Sequence, residues 1–144
     1  MSRSGIIQGL VDELQQTNGF DAVSSGTALA YDHRPLGSGV DRAAIVLANR
    51  GELARLAMGL NEATWHLDVE VYIRHNNDIV QARQDADVYV GNIITQVNNN
   101  PTLGGSAWDA LVVESRLEDE RMLVNKRPFL LEVLTVRCKE QYVV

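Results

Sequence analysis

Cysteine is almost absent from this chain: Cys138 is the only one in 144 residues. No intrachain disulfide can form, and a metal site built from several thiolates is excluded. Proline is scarce at three residues, and aromatic residues make up only 6%. Stacking platforms for single-stranded nucleic acid need repeated aromatic side chains, so none is expected. No apolar run approaches the length of a membrane span, so no membrane partner is expected. The opening Met1-Ser2-Arg3-Ser4-Gly5 is not followed by the apolar core of a secretion signal. Basic charge is short too, with 13 Lys and Arg against 19 Asp and Glu, a net of −6. Tight gripping of phosphates calls for the opposite sign.

What is present is ordinary globular usage, 45% apolar and 22% charged, over a length that suits one domain, residues 1–144. Ile6, Ile7, Leu10, Val11 and Leu14 form one apolar stripe at helical spacing, with Asp12, Glu13, Gln15 and Gln16 on the wet side. Asn18-Gly19 reads as its stop. Within residues 20–42, Ser24-Ser25-Gly26 and Leu36-Gly37-Ser38-Gly39 read as turns, with a short strand at Thr27–Tyr31 between them. Ala43–Ala48 is an apolar run suited to a buried strand. A helix from Asp41 through Gly51 to Met58 is the rival reading, and Asn49–Glu62 is expected to be mobile or ordered by a partner.

The strongest pattern is at Trp65–Arg74. Trp65, Leu67, Val69, Val71 and Ile73 alternate with His66, Asp68, Glu70, Tyr72 and Arg74, which predicts a strand with one buried and one wet face. Asp78 then suits the N-cap of a helix whose Ile79, Ala82, Ala86, Val90, Ile93 and Val97 step by three or four. Asn98-Asn99-Asn100-Pro101 ends it, because proline cannot continue the helical ladder. Strands at Trp108–Ser115 and Phe129–Lys139 follow. In the last, Phe129, Leu131 and Val133 share one face and Leu130, Leu134, Val136 and Cys138 the other. Either both faces are covered there, by a neighbouring subunit, or a bulge shifts the register. Together these elements predict an α+β fold: an antiparallel or mixed sheet of about four to five strands with two helices packed on one face.

The residues that carry chemistry form no catalytic, cofactor-binding or metal pattern. His66 and His75 lie roughly 30 Å apart on an extended chain and cannot share an ion. His66-x-Asp68-x-Glu70 puts three ligand types on one strand face at spacings wide for a tetrahedral site, and reads as a solvated polar face. His33 stands alone. Glu118-Asp119-Glu120 lies among Arg116, Arg121, Lys126 and Arg127, the composition of a charged hairpin arm. Gly104-Gly105 lacks the lysine and strand-to-helix context of a phosphate loop. No serine sits in a nucleophile elbow. Cys138 reads as a small apolar strand residue, and Trp65 and Trp108 as core or interface anchors. The expectation is therefore a non-enzymatic chain without cofactor or metal.

The order of elements resembles that of tail terminator, or tail completion, proteins of long-tailed bacteriophages. The resemblance runs through the Ile6–Leu14 helix, the Ala43–Ala48 run, the Trp65–Arg74 strand, the helix Asp78–Val97 with its Asn-Pro-Thr-Leu-Gly exit, and the closing Phe129–Lys139 strand. It implies a structural virion protein at the head–tail junction, assembled in the host cytoplasm. Copies of the chain would form a ring, hexameric in that family, that caps the tail tube protein and ends its growth. The ring would present a surface to the head connector or neck protein while DNA passes through the lumen without specific binding. A neck or head-completion protein is the nearest alternative, and a small ligand-binding or enzymatic α+β domain a more distant one. For a ring, the expected contact surfaces are the unpaired sheet edges, the face of Phe129–Val136, and the segments 49–62 and 98–107.

Overall fold

A computed structural model describes residues 2–17, 20, 22–25, 42–74, 78–118, 121–122 and 128–143. Helix α1 spans Arg3–Gln15 and starts where Ser2 Oγ accepts the Gly5 N–H at 3.0 Å. Helix α2 spans Ile79–Asn99, and Asp78 caps it as expected, accepting the Gln81 N–H at 3.0 Å. Strands β1 (Ala22–Ser25), β2 (Arg42–Ala57), β3 (Leu60–Arg74), β4 (Asp109–Leu117), β5 (Arg121–Met122) and β6 (Pro128–Val143) make one sheet in the order β1-β2-β3-β6-β4. β5 pairs with the start of β6. The β1–β2 pair is parallel and every other pair antiparallel, so the sheet is mixed.

Both helices lie on one face of this sheet, as the two apolar stripes require. Ile6, Leu10 and Leu14 of α1 and Ala86, Ile93 and Val97 of α2 share a cluster with Leu67, Val69 and Val71 of β3. Alternate residues of β6 join it, Leu130, Leu134, Val136 and Cys138 among them. The fold class read from the sequence is thus the observed one.

Several local expectations are corrected. Glu13 belongs to the packed side of α1, not its wet side. It is buried and accepts a 2.7 Å hydrogen bond from Gln96 Nε2, which ties α1 to α2. Ser24 and Ser25 lie in β1 rather than a turn. The Thr27–Tyr31 strand, the Asn18-Gly19 stop and the Leu36–Gly39 turn fall outside the described residues. Segment 49–62 forms neither a helix nor a loop: it is the outer part of a hairpin in which β2 and β3 turn at Met58-Gly59, Gly59 having φ +79°. Its strand character was hidden because residues 48–57 are all exposed, so no burial imposes a two-residue period.

The expected wet face of β3 is also a second core. Tyr72 is fully buried and Glu70 and His66 nearly so. Tyr72 packs with Ala43, Ile45, Leu47, Phe129, Leu131 and Val133 in a cluster separate from the helix-covered one. β6 runs beside β3 without a register shift from Phe129 to Val143. The apolar residues on both sides of β6 therefore reflect two covered faces rather than a bulge, and the second face is closed within a single chain.

Close approach within the sheet requires glycine at position 51. Gly51 faces Trp65 across the β2–β3 ladder, and a Cβ there would lie 2.2 Å from the indole. Gly51→Val is expected to push the ring away and cost about 1–3 kcal/mol. The displacement would appear as a red shift of Trp65 emission, measured in a Trp108→Phe background.

Candidate functional site

The residues singled out for chemistry are held apart or already engaged. On the face away from the helices, Asp68 accepts from Thr135 Oγ1 at 3.1 Å and from Asn49 Nδ2 at 3.2 Å, with Arg116 at 3.9 Å. Glu70 accepts from the Tyr72 hydroxyl at 3.2 Å. His66 sits in register between Arg50 on β2 and Arg137 on β6, a cationic setting that opposes metal capture. Among the described residues no group of three His, Cys, Asp or Glu side chains is placed to hold a metal ion. His33, His75, Asp119 and Glu120 lie outside the described residues, and Glu118 pairs with Arg116 at 3.1 Å.

The glycine-rich exit of α2 is structural. Leu103–Gly105 form a 3-10 turn with positive φ at all three residues, 48°, 68° and 95°. The turn lets α1 come close, Gly9 leaving no room for a Cβ beside Ser106.

Cys138 lies fully buried in β6. Burial, and secondarily the negative charge of Asp109, push its thiol up to about 12. Thiolate chemistry is thereby closed off. In native protein at about pH 8, Cys138 should resist iodoacetamide, and in guanidinium it should label fully. The folded thiol ionises later than the unfolded one at about 9, so the unfolded chain loses its proton first. Stability should therefore fall as pH climbs from about 9 toward 12.

Shallow clefts mark the surface of the described residues. One, about 220 Å³, is lined by the neutral polar side chains of Gln16, Thr17, Asn92, Thr95 and Gln96. Another, about 200 Å³, is lined by Arg83, Ala86, Asp87, Leu117 and Glu132. Partial burial, and then the Asp87 charge, raise the Glu132 carboxyl above its ordinary value. The cleft wall thus sets the Glu132 and Asp87 carboxylates beside Arg83.

The surface is more informative than the clefts. Leu53, Leu56 and Met58 on the β2–β3 hairpin are 68%, 49% and 98% exposed. On β4, Leu111, Val113 and Leu117 are partly exposed, as are Trp108 before it and Tyr142 on β6. Sequence reading missed the hairpin cluster because Leu53 and Leu56 are spaced for a helix, not for a strand. No helix among the described residues is long and apolar enough to cross a membrane. No protein-family model matches the chain, and no curated protein is significantly similar to it.

Proposed function

We propose that this chain is a structural ring subunit of a phage tail, a tail terminator that caps the tube and joins it to the head connector. The observation that carries the reading is the β2–β3 hairpin, whose outer part extends with its β2 residues 48–57 exposed and holds three large apolar side chains in solvent. A lone globular chain gains nothing from such a projection, whereas a partner that covers it does. The sheet edges left unpaired among the described residues point the same way, since such edges invite pairing unless a defined neighbour occupies them. Each contact in a closed ring of this kind hides on the order of 800 Å² per partner. The element order set out above supplies the tail assignment, and the net charge of −6 suits a channel wall that must not hold passing DNA.

Light scattering and negative-stain microscopy on the purified chain test the reading. The expected result is a closed ring, free or on tail tubes, that stops further addition of tube subunits. Single copies that never associate and never sit on tubes would overturn it. Binding to connector rings in preference to tubes would move the assignment to a neck protein.

A further inference from the structure

Two edges of the sheet are bare among the described residues, and they fit each other. β1 covers β2 only at residues 43–46, so residues 47–57 pair with β3 alone. β4 closes the opposite side and pairs only with β6. From one edge to the other run β2, β3, β6 and β4, each antiparallel to the next. β4 therefore runs opposite to β2. A second copy rotated about an axis along the strands keeps the direction of its own β2, which arrives antiparallel beside β4.

Length and charge agree with that meeting. β4 offers nine residues, roughly 30 Å of edge, and the free stretch of β2 is slightly longer. That stretch carries Arg50 and Arg55 against Glu52, while β4 carries Asp109 and Glu114 against Arg116, so the two edges have opposite net charge. Arg50 stands opposite His66, and Glu114 opposite Thr135, both on the face away from the helices. Pairing either edge with itself would set like net charges together.

We infer that residues 47–57 of β2 in one copy add to β4 of the next, so that the sheets of neighbouring copies run together. The inference rests on the ring reading and specifies its contact. Arg50 and Glu114 then lie on the same face of the joined sheet, and the projecting hairpin lies along its neighbour instead of in water. At the β4 bulge between Val112 and Glu114, Asn98 Oδ1 already takes the Val112 N–H, which removes that donor from the new pairing.

A charge swap tests the contact. The Arg50 side chain is 64% exposed and Glu114 is exposed, so Arg50→Glu and Glu114→Arg should each leave the fold intact by circular dichroism. Each should raise the concentration for half-assembly by about tenfold, and the double variant should return it to within about threefold of the wild type. Single variants that assemble like the wild type, or a double variant that stays weak, overturn the edge contact while the ring reading stands. Closed twofold dimers overturn it in favour of β4 pairing with β4. Wild-type chains that neither close nor bind tubes remove the ring reading, and this contact with it.

Discussion

Val71→Asp should leave no stably folded protein at neutral pH. Val71 is fully buried in the middle of β3, with Ala44 on one side and Glu132 on the other. An ionised carboxylate there loses its hydration and gains no cationic partner, at a cost of several kcal/mol. It also faces Glu132, whose carboxyl is already raised by burial and by Asp87, so a third acid adds repulsion where two are in tension. Total stability for a domain of this kind is about 5–15 kcal/mol, and the loss consumes much or all of it. Protonation removes the charge, so the variant should regain structure as pH falls toward about 4, the reverse of ordinary acid denaturation. Val71→Ala, which leaves only a small void, should fold with a loss of about 2 kcal/mol. Circular dichroism and urea titration separate these outcomes. A soluble, cooperative Val71→Asp protein at neutral pH would contradict the burial of Val71 in the helix-covered core.

Phe129→Ala should cost about 3–5 kcal/mol, although it touches neither helix. Phe129 is fully buried in the second cluster and meets Tyr72 edge-on, with ring centroids 6.3 Å apart and planes at 80°. Truncation removes a large apolar contact and the aromatic pair, worth about 0.5–1.5 kcal/mol beyond its area. For a chain of this length the melting temperature should drop by roughly 10 °C or more. The measurement belongs in dilute protein, where subunits are apart. If the face were closed by a neighbouring copy, the dilute chain would be barely affected and only the assembly would weaken. A full loss in the dilute chain shows that the second face is part of the domain's own core. Contact between copies is then left to the hairpin and the sheet edges.

β3 and α2 were legible because each has one face against the helix-covered core, and burial on one face stamps a period on the chain. The second cluster was not, because its single β3 member shares its face with polar residues: Tyr72 stands two places from Glu70 and four from Asp68. Glu13 looked solvated because its partner, Gln96, lies 83 residues away. The hairpin was illegible for the opposite reason, since its outer β2 residues are exposed on both faces and carry no pattern. Of the candidate chemistry, the sequence showed only that His66, Asp68 and Glu70 share one strand face. It could not show that Thr135, Asn49 and Tyr72 engage two of them.

By itself the sequence determined the α+β class, the Asp78-capped helix, the long central strand and the impossibility of an intrachain disulfide. Each of these depends on residues close together in the chain or on a simple count. The tertiary structure alone decided that β6 enters between β3 and β4, that both faces of β6 are covered, and that β2 runs on past the core as half of a hairpin. Those outcomes depend on which distant segments meet, Leu60 with Val143 and Asp109 with Lys139, and on what remains to cover them. A local pattern states how much surface a segment must hide; only the assembled chain determines which partner hides it.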